Sequence, residues 1–197
     1  MKLMSKIEAD VYLGLVHNPI YNKLGEVITT TVTNYDLHDI SRAAKTYDIQ
    51  KYYIINNLKS QQELVERVRD YWTGGRGADY VYNRHQAFSV LEIASQLEEV
   101  IEKIKTETGQ EPLLIATDAR EYPNTISYKD MRKELQQIDR PFLIIYGTGY
   151  GLTEEMIAEC DYMLYPIWGR GDFNHLSVRS AASIIMDRLL SDPWWEA

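Results

Sequence analysis

The amino-acid sequence predicts an α/β fold with a mainly parallel sheet flanked by helices, and three observations support this prediction. The chain has 197 residues, 45% hydrophobic and 25% charged, which is enough to bury the core of one domain over residues 1–197. Short apolar runs bounded by turn residues alternate with longer segments of helical periodicity. No internal repeat or low-complexity linker divides the chain. This alternation is typical of parallel strands connected by helices.

Five apolar runs have the length and the turn-forming flanks of short buried strands. In chain order they are Val11–Val16, Tyr52–Ile55, Leu113–Ala116, Phe142–Tyr146 and Tyr162–Tyr165. Apolar residues recur at helical spacing between these runs and after the last one. The predicted helices are Leu37–Tyr47, Gln61–Trp72, Ala87–Thr106, Tyr128–Ile138, Thr153–Glu159 and Leu176 to about Leu190. The glycine-rich stretch at 73–83 is predicted to be a surface loop, either a plain connection or part of a substrate site.

The charge of the chain is acidic overall but unevenly distributed. A net charge of −8 argues against binding to nucleic acid through charge alone, because phosphate contacts depend on Lys and Arg. Residues 1–84 contain 11 Lys and Arg against 10 Asp and Glu, whereas residues 85–197 contain 10 against 19. The first half is therefore compatible with a local basic face. Four arginines there form either an RNA-facing stripe or ordinary solvated charges: Arg67, Arg69, Arg76 and Arg84.

Other functional classes have little support in the sequence. The single cysteine, Cys160, cannot form an internal disulfide and is predicted to be a buried, unreactive thiol, and no Cys/His cluster has the spacing of a zinc site. No run approaches the ~18 apolar residues of a membrane helix, and charges occupy the first ten residues, where a signal peptide needs an apolar stretch. We therefore expect a cytoplasmic protein with no metal and no membrane contact. Trp194 and Trp195 are expected to pack on the last helix or on a second subunit.

Candidate binding residues follow the predicted strands, because ligands of parallel sheets bind at the carboxyl ends of the strands. These residues are His17-Asn18-Pro19, Asn56-Asn57, Thr117-Asp118, the glycine loop (residues 147–151) and Pro166-Ile167. Turn chemistry alone would explain any one of them. The glycines of the glycine loop lie at relative positions 0, 2 and 4, not at the 0, 2 and 5 of a dinucleotide-binding fingerprint, and no lysine follows as in a P-loop. They indicate positive φ angles, or close approach of a ligand or another chain segment.

Three segments, taken jointly, resemble the motifs of a known class. The glycine loop with its continuation Leu-Thr-Glu-Glu, the run ending in Tyr-Pro-Ile, and Asn-His-Leu-Ser-Val-Arg-Ser-Ala-Ala at 174–182 resemble motifs two and three of the SPOUT class of S-adenosylmethionine-dependent RNA methyltransferases. The segment at 34–55 resembles the first motif of that class. From Val11 to Leu190 the chain is similar to a little-studied bacterial branch of the class.

This resemblance implies a fold, a cofactor and partners. The fold is an α/β domain with a C-terminal deep trefoil knot, and S-adenosylmethionine binds in the knotted loops and leaves as S-adenosylhomocysteine. The acceptor is an RNA, with a tRNA or rRNA nucleotide as the target, and the protein is a homodimer. Many ribose-methylating members carry a Glu in motif two where this chain has Thr148 or Tyr150, so the choice between base and ribose stays open.

The resemblance also implies roles for individual residues. The cofactor-binding residues would be Ala116, Thr117, Gly147, Thr148, Gly149, Gly151, Leu152, Tyr165, Pro166, Ile167, Leu176, Ser177 and Ser180. Arg42 matches the motif-one arginine that serves the acceptor nucleotide; the alternative is a solvated helix arginine paired with Asp36 or Asp39. Asp118, Asp172 and His175 are candidate general bases by location only, and the sequence does not choose among them.

Two other functional classes compete with the methyltransferase. One is a non-catalytic RNA- or nucleotide-binding module with the same fold, which the absence of a clear general base favours. The other is an ordinary α/β enzyme acting on a small metabolite. The two donor motifs, both intact, favour the methyltransferase.

Overall fold

A seven-stranded parallel sheet forms the centre of the structure, a computed structural model that describes residues 7–74 and 81–192. The strands are β1 (Val11–Val16), β2 (Ile20–Tyr21), β3 (Val27–Ile28), β4 (Tyr52–Ile55), β5 (Leu91–Ala94), β6 (Leu113–Ala116), β7 (Thr125–Ile126), β8 (Phe142–Gly147) and β9 (Tyr162–Leu164). The helices are α1 (Asn34–Thr46), α2 (Lys59–Thr73), α3 (Tyr82–Phe88), α4 (Leu97–Thr108), α5 (Tyr128–Gln137), α6 (Glu154–Ala158) and α7 (Val178–Leu190).

The sheet has the strand order β5-β4-β1-β8-β6-β9-β7, and β2 and β3 form a separate antiparallel hairpin. Strand β8 lies at the centre, paired in parallel with β1 and β6. Its alternate residues pack into two apolar clusters: Ile144 and Tyr146 on one face, Leu143 and Ile145 on the other. Burial on both faces explains the continuous apolar runs in the sequence. The predicted α/β class with a mainly parallel sheet is confirmed.

The helix predicted over Ala87–Thr106 is wrong. This segment holds the end of α3, the edge strand β5 and most of α4. Residues Leu91 and Ile93 pair with β4, and the Ser95 backbone N–H then donates to Glu99 Oε2 at 2.8 Å where α4 begins. No glycine or proline separates these elements, so periodicity alone does not reveal the breaks. Residues 91–94 form a strand because they pair with the otherwise open edge of β4.

The last helix returns from the far side of the sheet to the first half of the chain. β9 is separated from β1 by β8 and β6, yet α7 packs against α1 and α5. The Tyr47 hydroxyl donates to Asp187 at 3.0 Å, and the Arg132 guanidinium donates to the carbonyl oxygens of Leu189 and Ser191 at 2.8 and 2.6 Å. The segment at 165–177 therefore crosses the ends of the central strands, where Asn174 Nδ2 donates to the Ala119 carbonyl at 2.6 Å.

Several minor predictions can be compared with the structure. Cys160 is half-buried, and burial raises the pKa of its thiol to about 12, which agrees with an unreactive cysteine. Arg69 pairs with Glu92, and Arg84 lies 4.4 Å from the Trp72 ring, so these two arginines are partly engaged. Arg76, Trp194, Trp195 and most of the predicted loop at 73–83 lie outside the described residues.

Within 7–74 and 81–192, no helix has both the length and the apolar character needed to cross a membrane. The same residues contain no cluster of three or more His, Cys, Asp or Glu side chains placed to hold a metal ion.

Candidate functional site

A cavity of about 930 Å³ lies at the carboxyl ends of the central strands, the edge at which the sequence predicts ligand binding. Its walls come from the segment after β1, the loop at 117–120, the glycine loop, and the segment at 164–167 with the start of α7. This volume is at the upper end of the usual range for small-molecule sites.

Most of the residues that the resemblance assigns to the cofactor lie around this cavity. Ten of the thirteen line it: Thr117, Gly147, Thr148, Gly149, Gly151, Tyr165, Pro166, Ile167, Leu176 and Ser177. Ala116 and Leu152 are buried and do not line it, and Ser180 is exposed on the first turn of α7. Of the candidate bases, Asp118 and His175 line the cavity, whereas Asp172 is exposed elsewhere.

The glycine loop takes its shape from the β2–β3 hairpin behind it. The Tyr150 N–H donates to the Tyr21 carbonyl at 3.0 Å, and the Tyr21 N–H donates to the Gly151 carbonyl at 3.1 Å. Gly149 has φ +58°, and a Cβ there would lie 3.1 Å from both Ile20 Cγ2 and the Tyr21 carbonyl oxygen. Close approach of the hairpin backbone therefore requires this glycine.

The charged groups of the cavity are paired with one another. Arg120 Nη2 donates to Asp118 Oδ2 at 2.7 Å, and the Tyr122 hydroxyl donates to the same oxygen at 3.3 Å. Arg179 lies 3.4 Å from the buried carboxylate of Asp36. Because each lining arginine has a carboxylate partner, the cavity offers a nearly neutral surface, and both oxygens of Asp118 accept hydrogen bonds from neighbouring groups.

Arg42 lies outside the cavity, on the exposed face of α1. This position agrees with the alternative of a solvated helix arginine, although the ion-pair partner of Asp36 and of Asp39 in the described residues is Arg179. Burial lowers the pKa of the neighbouring His38, and the guanidinium groups of Arg84 and Arg42 act in the same direction. The Asp39 carboxylate acts in the opposite direction, so the two arginines are partly balanced by an acidic neighbour.

A histidine that the sequence marks only as a strand-end residue lies at the wall of the cavity. His17 is 1% exposed, and its Nδ1 lies 2.9 Å from Thr30 Oγ1. Its Nε2 is buried and has no hydrogen-bond partner within the described part of the chain. Burial lowers the pKa of His17 to about 4, and the Asp36 carboxylate acts in the opposite direction. The imidazole is therefore neutral at physiological pH.

Sequence reasoning found His17 as a residue that follows a predicted strand, but it missed three other residues of this site: Thr30, Asp36 and Arg179. Arg179 belongs to the motif-three segment, so that motif could have indicated it. Thr30 gives no local signal, because its role depends on Thr148, which is 118 residues away in the chain and 2.5 Å away between hydroxyl oxygens.

The fold of the chain is similar to that of methyltransferases of the SpoU type. The structure is similar to that of the SpoU methyltransferase AviRb from Streptomyces viridochromogenes in complex with the cofactor AdoMet, with a TM-score of 0.57 and 15% identity, over 92% of this chain and 57% of that chain. At this identity the likeness concerns the fold alone. Residues 10–191 match the model of the family described as SAM-dependent RNA methyltransferase, and the chain belongs to this family.

Two sequence relatives extend this result. The chain is 44% identical over 185 residues to an uncharacterized protein of Aquifex aeolicus, covering 94% of this chain and 90% of that protein. It is 36% identical over 197 residues to a tRNA (guanine-N(1)-)-methyltransferase of Oleidesulfovibrio alaskensis, covering 98% of this chain. The chain spans only 46% of that second relative.

We expect Gly149→Ala to destabilise the protein more than Gly25→Ala. Both glycines have left-handed φ angles, +58° and +76°, so both substitutions carry a similar backbone cost of about 1–2 kcal/mol. Only at position 149 does the added methyl group meet other atoms, which should add roughly 1–3 kcal/mol. Urea unfolding of the two variants measures the difference, and equal losses would contradict the close approach of the hairpin.

The buried His17 should make the protein less stable in mild acid. The unfolded chain takes up a proton on this histidine below about pH 6.5, whereas the folded protein does so only near pH 4. The contribution of His17 is therefore fully present above pH 6.5 and is lost as the pH falls toward 4, by about 2 kcal/mol between pH 7 and pH 5. Urea unfolding at both pH values should show this loss in the wild type and a smaller one in His17→Gln; identical losses would disprove the assignment.

Proposed function

We propose that the cavity binds S-adenosylmethionine and that the protein transfers its methyl group there to a nucleotide of tRNA, with S-adenosylhomocysteine as the product. The observation that carries this proposal is the neutral cavity enclosed by the glycine loop, the segment at 164–167 and the start of α7 in a member of this SAM-dependent RNA methyltransferase family. When bound, S-adenosylmethionine supplies an electrophilic methyl carbon on a positively charged sulfur.

The residues of the cavity fit this cofactor better than they fit a nucleotide phosphate. No lysine lines the cavity among the described residues, and Arg120 and Arg179 are both held by carboxylates, so little free positive charge is present for phosphate oxygens. Ile167 and Leu176 provide apolar walls suited to an adenine ring. The motif-two and motif-three residues that line the cavity would hold the adenosine through these walls and through backbone groups.

The proposal of a tRNA acceptor rests on two observations. One relative carries the name of a tRNA methyltransferase, although this chain spans less than half of it. Exposed aromatic side chains also lie at or beside the cavity, with Tyr150 63% and Phe173 77% exposed. Unpaired RNA bases stack on such side chains, and this contact does not require a basic protein.

We further propose that the crossing segment threads the knot of the SPOUT class and that the enzyme is a dimer with shared sites. Supporting the first point, the segment at 165–177 is bonded to the chain between β6 and α5 at two places: the Tyr165 N–H donates to the Ile126 carbonyl, and Asn174 donates to Ala119. Supporting the second, Arg42 lies outside its own cavity, so the contact with the acceptor nucleotide that the resemblance implies would be made at the cavity of a second subunit.

Donor binding and methyl transfer are expected to depend on this cavity. Calorimetry should detect S-adenosylmethionine and S-adenosylhomocysteine but neither NAD nor ATP, and labelled methyl groups should pass to bulk tRNA from a strain lacking the gene. Ile167→Trp fills the cavity and should weaken donor binding at least tenfold. Its matched control, Ile157→Trp, changes a half-buried isoleucine that does not line the cavity and should leave affinity unchanged. Binding of NAD or ATP in place of the donor would point to a metabolite enzyme, and donor binding without methyl transfer to a non-catalytic module.

The shared-site proposal predicts complementation between two defective subunits. Arg42→Ala should keep donor affinity and lose methyl transfer, because only the acceptor contact is removed. Mixed with Ile167→Trp subunits, it should regain about a quarter of wild-type activity, since half of the random dimers are mixed and each mixed dimer has one intact site. A stable monomer of 22.9 kDa in light scattering, or no recovery on mixing, would contradict a shared site.

A further inference from the structure

We propose that His17 is the general base of methyl transfer, accepting on its Nε2 the proton that the acceptor nucleotide loses; this inference rests on the proposed function. His17 lines the cavity and is almost completely buried, and its Nε2 is a buried ring nitrogen without a hydrogen-bond partner among the described residues. A buried polar atom left unsatisfied is costly, which favours a site that a ligand completes.

A chain of hydrogen bonds assigns the tautomer of the imidazole. The Thr148 hydroxyl donates to the Val16 carbonyl at 3.0 Å, so its proton is already engaged. Thr30 Oγ1, 2.5 Å from Thr148 Oγ1, must therefore donate to Thr148 and accept from His17 Nδ1. The other contact of the Thr30 hydroxyl, to the His17 carbonyl, is 3.5 Å long and too weak to compete. The proton thus lies on Nδ1 and the lone pair on Nε2.

The carboxylates of the cavity already bind neighbouring side chains, so His17 is the best-placed base. Asp118 is bound by Arg120 and Tyr122, and Asp36 accepts from the Thr33 hydroxyl at 2.6 Å and faces Arg179. His175 is exposed at the rim, where its ring packs against Phe173 at 5.7 Å between centroids. A base at the rim is open to water, whereas His17 acts where water is excluded.

The proton transfer balances the charge of the site. A lone pair of the acceptor oxygen or nitrogen attacks the methyl carbon, the carbon–sulfur bond breaks, and its electron pair stays on sulfur as a neutral thioether. The acceptor proton moves to His17 Nε2 and forms an imidazolium. One positive charge disappears from sulfur as one appears on the imidazole, so the net charge of the buried site does not change. Asp36 lies close enough to favour the imidazolium, while burial lowers the pKa of His17 so that Nε2 starts unprotonated.

Single-turnover kinetics with His17→Gln tests this role. Using labelled S-adenosylmethionine and bulk tRNA that the wild type methylates, we expect the rate to fall about 10²–10⁴-fold with donor affinity within about threefold. Added imidazole should restore part of the rate in His17→Ala. The control His85→Gln changes a histidine of α3 outside the cavity and should keep the wild-type rate.

Other outcomes would overturn the inference while leaving the proposed function intact. If the rate of His17→Gln is within tenfold of the wild-type rate, His17 is not the general base. If a loss of donor affinity accounts for the slower rate, His17 is a cofactor-binding residue instead. If His17 variants do not fold, Thr30→Val removes the acceptor of the Nδ1 proton and should slow transfer about tenfold at unchanged donor affinity; an unchanged rate there also overturns the inference. Failure of the wild type to methylate RNA would instead refute the proposed function itself.

Discussion

One buried carboxylate, that of Asp36, joins the two helices on which the site depends. It lies in the first turn of α1, where Thr33 caps the helix and an acidic group is favoured by the exposed N–H groups. Its other oxygen faces Arg179, which lies in the first turn of α7, a position where a cation is disfavoured unless it is paired. Removing Arg179 leaves the buried Asp36 carboxylate without its cationic partner, whereas Arg179 keeps its ion pair with Asp39 when Asp36 is removed. The pair therefore fixes the start of α7 against α1 and closes one side of the cavity.

The neutral cavity and the acidic chain suggest that the methyl donor and the RNA acceptor bind through different kinds of contact. Inside the cavity the charges are paired. This arrangement suits both the positively charged S-adenosylmethionine before transfer and the S-adenosylhomocysteine, with its neutral sulfur, after transfer. Outside, RNA meets a chain of net charge −8, so contact must concentrate on the few places where the potential is positive or where rings are exposed. Arg42 is exposed on α1, and the exposed rings of Tyr150 and Phe173 lie at or beside the cavity.

The sequence predicts the centre of this structure better than its edges. β1, β4 and β8 are buried on both faces, which leaves continuous apolar runs that stand out from any helix. The sequence does not predict β5, because the apolar residues on both sides of it recur at helical spacing. It does not predict β7, because a strand of two residues is too short to show alternation of apolar and polar residues. The glycine loop is predicted correctly, and two of the offered explanations hold: Gly149 and Gly151 have positive φ angles, and another chain segment, the hairpin at 20–28, approaches Gly149 closely. The sequence does not predict Thr30, because its place in the site depends on a hydrogen bond to Thr148, which is 118 residues away in the chain.

The long separation between partners in this site has a consequence for synthesis on the ribosome. Thr30 bonds to a residue 118 positions later, and Asp36 pairs with one 143 positions later. Folds rich in such distant contacts have high contact order and form slowly. During translation the first half of the chain holds His17 and Asp36 with no glycine loop and no α7 to enclose them. A nascent or truncated chain therefore has no complete cavity, and the cavity closes only when the last helix has docked.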